Sequence, residues 1–411
     1  MRVTPPRAVG VPELSFGEST AVESGRSPAE TRRRERLKLD RTHRFRRAGT
    51  AAAIAIAVVT LDSCGDSTGP SNKQNALRPA GKYSRQILHL TEPFFWIAVV
   101  IGLGVIGGTF FVALRFREKP GEERAVKQVH GNTILEISWT VIPAVILAIM
   151  AVPTVATIFS LAKKPTGPNV VNVTVTARQW WWQFTYTDPG NGVETANELH
   201  IPVGAPISLT LQGPPACSPA PCYLNGVIHS FWVPELNGKK DVVPGRKQFL
   251  KLEADKPGVY QGQCAEYCGL SHADMRLRVI AQTPADYQAW VRSQLAQKTS
   301  EAALKAGVDS ATWGCATCHS FKSGVPGAVA PNLTHLADRT AFAGDKYLLN
   351  YDNLWKWVYD APGRKPMGDL YQHMPAFNKA GMSQAEAQKI ACFLLTNTAT
   401  NPNPPSECAG K

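Results

Sequence analysis

Charge is scarce in this chain. Only 18% of its 411 residues are Asp, Glu, Lys or Arg. That is low for a soluble protein and too high for one made mostly of membrane spans. The 33 glycines and 31 prolines recur at no fixed period, which excludes collagen-like and coiled-coil classes. Methionine is rarer still, with six in all, so each one in a donor-rich motif carries weight. A basic, aromatic-laced block is also missing. Of the net charge of +12, residues 1–63 hold +5, from 12 Lys/Arg and 7 Asp/Glu. The rest is dispersed, so nucleic acid has little support as a partner. Cysteine is present nine times, an odd count that must be partitioned.

Residues 1–63 read as a signal or disordered segment. Arg41 to Arg47 is a positive stretch, and Ala51 to Leu61 an apolar run of eleven residues, too short to cross a bilayer. Leu61-Asp62-Ser63-Cys64-Gly65 resembles a lipoprotein signal, with Cys64 lipidated after cleavage; an ordinary signal peptide is the alternative. Further on, Phe94–Leu114 and Ile137–Leu161 carry no charge over 21 and 25 residues. About 20 helical residues cross a hydrocarbon core of about 30 Å. Both are therefore expected to be transmembrane helices, about 94–116 and 137–161, in a hairpin over 85–165. The loop between them bears Arg115, Arg117, Lys119, Arg124 and Lys127. The positive-inside rule puts that loop in the cytoplasm and both flanks outside.

From about 168 the pattern changes to period two. Val171, Val173 and Val175 alternate with Asn172, Thr174 and Thr176, and Ile207, Leu209, Leu211 and Leu277, Val279 repeat the pattern. This predicts a β-sandwich or barrel over 168–282. Thr283 with Asp286, and Pro284 at the first helical position, open a helix and linker over 283–300. Residues 301–411 lose the alternation and read helical, with Ser383 and Glu386 capping a last helix to about Thr396.

Two motifs carry chemistry. In Cys264-Ala-Glu266-Tyr-Cys268-Gly-Leu-Ser-His272-Ala-Asp-Met275, two thiols, an imidazole and a thioether fall within twelve residues. Soft sulfur ligands with imidazole favour copper. Two thiolates on one loop suffice to bridge two metals, with His229 as the second imidazole. The alternative is a Cys264–Cys268 disulfide, against which the four-part spacing weighs. In the second motif, Cys315-Ala-Thr-Cys318-His319, the spacing is that of covalent haem c attachment, with His319 as axial ligand. Met374, in His373-Met374-Pro375-Ala376-Phe377, is the chosen sixth ligand; Met367 competes, and Met382 reads as a helix N-terminal residue.

Together these motifs resemble subunit II of bacterial haem–copper cytochrome c oxidase, in the form with a fused C-terminal cytochrome c domain (caa type), over about residues 85–411. The resemblance implies a multidomain fold: a transmembrane hairpin, an all-β cupredoxin-like copper A domain and an all-α cytochrome c domain over 301–411. It implies His229, Cys264, Cys268, His272 and Met275 as side-chain ligands of a dinuclear copper A centre. Glu266 would give its carbonyl to copper and its carboxylate to a magnesium ion shared with subunit I. Within Ala177-Arg178-Gln179-Trp180-Trp181-Trp182-Gln183-Phe184, Trp180 would be the aromatic through which electrons arrive, although a buried aromatic cluster also satisfies three consecutive tryptophans. Glu136 matches the glutamate at the mouth of a proton pathway; alone, it is a well-placed helix-start charge. Ala330-Pro331-Asn332-Leu333 resembles the loop whose proline carbonyl orients the haem histidine. Gly226 stands where the family usually has an aspartate, which puts docking of an external carrier there in doubt.

The implied partners are oxidase subunits I and III, membrane lipid, and a donor that is cytochrome c or a quinol-oxidising complex. Oxygen reduction and proton translocation would occur in subunit I, in a bacterial plasma membrane, with the copper and haem domains outside. A copper-delivery protein would need neither Met275 nor a haem. A quinol oxidase subunit lacks the thiolates, and a nitrous-oxide reductase needs a propeller for which there is no room. With copper, haem and lipid taking Cys264, Cys268, Cys315, Cys318 and Cys64, four cysteines remain. They are expected to pair as Cys217–Cys222 and Cys392–Cys408.

Overall fold

A computed structural model describes residues 74–117, 128, 130–187, 192–214, 227–296, 300, 302–303, 305, 313–327, 329–368, 373–396 and 405–408. Cys64 and the whole 1–63 segment, the pair Cys217 and Cys222, Gly226, and loop residues Lys119, Arg124 and Lys127 lie outside the described residues.

Among the described residues two long helices come first, α1 (Lys82–Arg115) and α2 (Thr133–Ala162). Over 94–114 and 137–161 they are apolar on all sides, with Phe95, Leu103, Phe111, Leu147 and Ile149 among many side chains more than half exposed. Water would not tolerate such surfaces, so hydrocarbon or other apolar protein must cover them. The α2 N-terminus is capped by Asn132, whose side chain accepts from the amides of Ile134 and Leu135. α1 starts at Lys82, upstream of the apolar run, because its first turns dock on the sandwich instead of entering lipid. Ser84 Oγ donates to the Glu235 carbonyl at 2.7 Å, Arg85 pairs with Asp255, and Lys251 Nζ sits 4.5 Å over the Tyr83 ring. Only glycine fits at position 81, since a Cβ there would lie 1.9 Å from the Glu253 carbonyl oxygen. Lys251 Nζ also donates to the carbonyls of Ser160 and Lys163 at the end of α2. The hairpin is thus tied to the sandwich through both helices.

Among the described residues the sandwich has ten strands: β1 (Val171–Arg178), β2 (Trp181–Tyr186), β3 (Glu194–Ala196), β4 (Glu198–Pro202), β5 (Ile207–Gln212), β6 (His229–Trp232), β7 (Lys240–Val242), β8 (Gln248–Leu252), β9 (Gly258–Cys264) and β10 (Arg276–Gln282). One sheet runs β3-β2-β1-β5-β8, the other β4-β10-β9-β6-β7. β1 and β5 pair in parallel, with Val173 opposite Leu209 and Val175 opposite Leu211. The period-two valines and leucines thereby form one buried face. They meet Leu277, Val279, Leu199 and Ile201 of the other sheet in a single core. Helix α3 (Pro284–Leu295) closes one end, capped by Thr283, and buries Tyr287 and Val291.

The C-terminal domain holds α4 (Tyr351–Tyr359), α5 (Ala361–Arg364) and α6 (Gln384–Thr396) around Phe321, Leu336, Leu354, Val358, Phe377, Ile390 and Leu394. Ser383 and Glu386 close a reciprocal cap at the start of α6. Cys392 and Cys408 are disulfide-bonded, with Cα atoms 5.3 Å apart. The domain also has a short hairpin, β11 (Ala341–Phe342) with β12 (Tyr347–Leu348). Two-residue strands leave no period-two signal, which is why this hairpin escaped the sequence reading.

Candidate metal and haem sites

The copper motif occupies the loop between β9 and β10, and its base is fixed by backbone pairing. The Cys264 amide donates to the Met275 carbonyl at 2.9 Å, and the Ala265 amide to the Ser230 carbonyl at 2.9 Å. His229 opens β6, which pairs with β9 so that Phe231 faces Cys264. Cys264 and Cys268 lie at the centre with their sulfurs 3.7 Å apart. On one side, Cys264 Sγ is 3.8 Å from His229 Nδ1 and 3.2 Å from the Glu266 carbonyl oxygen. On the other, Cys268 Sγ is 3.6 Å from His272 Nδ1 and 3.8 Å from Met275 Sδ.

This donor set fits a pair of copper ions. Two donors bound tetrahedrally to one ion at about 2.0–2.3 Å stand about 3.5 Å apart, close to the separations here. Each flank offers one imidazole and one weaker donor, and the two sulfurs are shared between flanks. The electrostatics agree. Hydrogen bonding to Cys268 pulls the pKa of the Cys264 thiol well down. The Cys268 thiol is pushed up, first by its bond to Cys264, then by burial. Two adjacent buried thiolates therefore need added positive charge, which copper provides.

The three tryptophans divide three tasks. Trp182 is core, edge-on to Phe231 with ring centres 5.2 Å apart. Trp181 lies beside Arg178, 5.6 Å from its guanidinium. Trp180 is buried, and its indole N–H donates to the Cys268 carbonyl at 2.9 Å, beside a second donor, Gln179 Nε2, at 2.9 Å. The same Trp180 lines a cavity in the C-terminal domain together with His319, Met367, His373 and Met374. In that cavity His319 Nδ1 is 2.7 Å from the Pro331 carbonyl. A carbonyl only accepts, so the proton is on Nδ1 and Nε2 keeps its lone pair, as a metal ligand would need. Burial also lowers the His319 pKa, favouring the neutral ligand. Cys315 opens the one-turn helix ahead of His319, and Cys318 is the residue that ends it. Methionines 367 and 374 both reach this cavity, and so does His373, which sequence reasoning had not weighed.

Several residues without a motif join the two sites. Lys365, only 3% exposed, donates from Nζ to the carbonyls of Trp180, Asp274 and Ala343 at 2.7, 3.0 and 3.0 Å. Burial pulls its pKa down to about 7. Glu198 Oε1 accepts from the Thr340 amide and hydroxyl and from the Ala341 amide. Arg278 pairs with Asp345, and Lys346 with Asp274, each at 2.6 Å. Gly344 meets the copper loop so closely that a Cβ there would lie 2.2 Å from the Asp274 carbonyl oxygen. Apart from these, Glu136 lies in the first turn of α2, and the Glu266 carboxylate accepts from the Tyr267 amide.

Comparison with known proteins agrees domain by domain. The family model described as "Cytochrome C oxidase subunit II, transmembrane domain" matches residues 72–157, "Cytochrome C oxidase subunit II, periplasmic domain" matches 220–282, and "Cytochrome c" matches 304–398. Cytochrome c oxidase subunit 2 of Alkalihalophilus pseudofirmus is 36% identical over 337 residues, 80% of this chain and 92% of that one. The same subunit of Bacillus sp. strain PS3 is 36% identical over 284 residues, 63% of this chain and 75% of that one. Among solved structures, the periplasmic domain of subunit II of the Bradyrhizobium japonicum oxidase is 27% identical, covering 32% of this chain and 95% of that one, with a TM-score of 0.26. The chain belongs to the cytochrome c oxidase subunit II family, as a two-pass membrane subunit with a fused cytochrome c domain that transfers electrons in partnership with subunit I.

Proposed function

We propose that this subunit carries electrons into a proton-translocating terminal oxidase. It would hold haem c on Cys315 and Cys318, and a dinuclear copper A centre on His229, Cys264, Glu266, Cys268, His272 and Met275. When bound, these groups supply one-electron transfer in the order donor, haem c, copper A, subunit I.

The chain's own residues hold, orient and seal these sites. The Pro331 carbonyl fixes the His319 tautomer, and His319 and Met374 would hold the iron. Burial of Cys264, Cys268 and Met275, each 3% exposed or less, excludes water from the sulfur donors. Trp180 is the aromatic between the sites, because it touches the copper loop at Cys268 and lines the haem cavity. Glu266 offers its carboxylate to a magnesium ion shared with subunit I, and Glu136 marks the proton-pathway mouth. The basic loop between α1 and α2 faces the cytoplasm, so both cofactor domains face outward in a bacterial plasma membrane. Subunit III completes the assembly, and a cytochrome c or a quinol-oxidising complex is the donor. Cys64 takes a lipid, and Cys217 pairs with Cys222.

The observation that carries this reading is the near-symmetric arrangement of two thiols, two imidazoles and two weak donors. The test is anaerobic rapid mixing of the intact oxidase with a reduced donor. Haem c should be reduced first and the copper absorption should change after it. In Cys264→Ser, haem c should still be reduced while oxygen consumption stops. Wild-type oxygen consumption in that variant would overturn the reading.

A further inference from the structure

The interface between the sandwich and the cytochrome domain contains a lysine that neither cofactor needs as a ligand. Lys365 follows α5, and its ammonium spends its three N–H groups on three carbonyls from three separate segments. Trp180 belongs to the turn between β1 and β2. Asp274 immediately precedes Met275 in the copper loop. Ala343 belongs to the turn of the cytochrome domain's hairpin. Next to this lysine, Ser271 Oγ donates to the Pro366 carbonyl, and the Arg276 amide donates to the Gly344 carbonyl at 3.0 Å. The copper loop is therefore stitched to the cytochrome domain by side-chain and backbone bonds on both sides of Met275.

A cytochrome domain that swung between a distant donor and the copper loop would expose these groups at every departure. Lys365 would then leave three carbonyls behind, and Asp345, 5% exposed in its side chain, would lose Arg278. Domains that move relative to one another usually meet through polar, wetted faces. Burying an ammonium instead makes sense where one relative position has to be kept.

Resting on the cofactor assignment above, we propose that Lys365 is a positioning residue for electron transfer. It ties the Trp180 backbone and the copper loop to the haem domain, so that electrons pass between the two centres without movement of the cytochrome domain.

The experiment follows light-triggered reduction of haem c in the intact oxidase, and electron arrival at copper by its absorption. In the wild type the rate should not change with solvent viscosity. Hydrogen exchange should show the Arg276 amide protected. In Lys365→Met the haem and copper bands and both midpoint potentials should be kept. The transfer should slow at least about tenfold, the loss expected when reacting partners are held loosely. It should become viscosity-dependent, and the Arg276 amide should lose protection. Lys356→Met, on the exposed face of α4, should change none of these.

Wild-type transfer in Lys365→Met with its cofactors intact would overturn the proposal. A wild-type rate that falls with viscosity would also overturn it, whether or not the variant assembles. A wild-type enzyme without the copper band would instead overturn the cofactor assignment.

Discussion

Glu198 is the most informative residue to change on the sandwich side of the domain interface. It sits in β4, 2% exposed, and its Oε1 collects three bonds from Thr340 and Ala341. Burial raises its pKa, while those same bonds and the nearby Arg339 act against the rise. Glu198→Ala would strand the buried Ala341 amide and the half-buried Thr340 amide, and would remove a negative charge near Arg339. Each bond to a charged group contributes about 1.5–3 kcal/mol, so losing the two amide bonds together costs about 3–6 kcal/mol. We expect a loss of about 4 kcal/mol in the free energy of opening this interface. At about 1.4 kcal/mol per decade, that is roughly a thousandfold faster exchange. Hydrogen exchange of the Thr340 and Ala341 amides in the intact protein reads it directly. Glu198→Gln keeps an acceptor in place and should cost about 1–2 kcal/mol. Acceleration below tenfold in Glu198→Ala, or equal effects of Ala and Gln, would refute the reasoning.

Three further outcomes are expected. His200 is buried between Trp290, stacked at 4.1 Å, and Gln282, and burial lowers its pKa from 6.5 to about 4. The unfolded chain then takes up a proton that the folded sandwich refuses. Stability is complete above about pH 6.5 and is lost as pH falls toward 4, by about 3 kcal/mol, with the loss abolished in His200→Phe. Cys392 and Cys408 close a loop across a separation of 16, so replacing both by serine should destabilise the cytochrome domain by about 3 kcal/mol in denaturant unfolding. Met374→Ala should remove the thioether-to-iron absorption band while leaving haem attached, and the same loss in Met367→Ala instead would reassign the ligand.

Legibility in the sequence followed the physics of each element. β1, β5 and β10 were readable because one face of each packs and the other does not. β4 was not, since all five of its residues are buried and two of them, Glu198 and His200, are polar. Their partners, Thr340 and Gln282, come from distant segments that no local pattern reveals. The apolar cores of α1 and α2 were readable, but the docked polar turns of α1 were not. The copper loop was readable because four donors share twelve residues of one loop, and the haem motif because its spacing is local. His229 needed only a place on an adjacent strand. Lys365 left no trace, because a lone lysine looks the same in sequence whether it faces water or three carbonyls. The three tryptophans could be recognised as a group, but only packing separates the core role of Trp182 from the position of Trp180.

The most direct test of the dinuclear centre is a metal count taken as a difference. Copper per haem c is measured in the purified wild-type oxidase and in the double variant Cys264→Ser, Cys268→Ser, which cancels any copper held by other subunits. The expected result is a loss of two copper ions per haem c with the haem band unchanged. A loss of one, or none, would contradict a bridged pair held by these two thiolates.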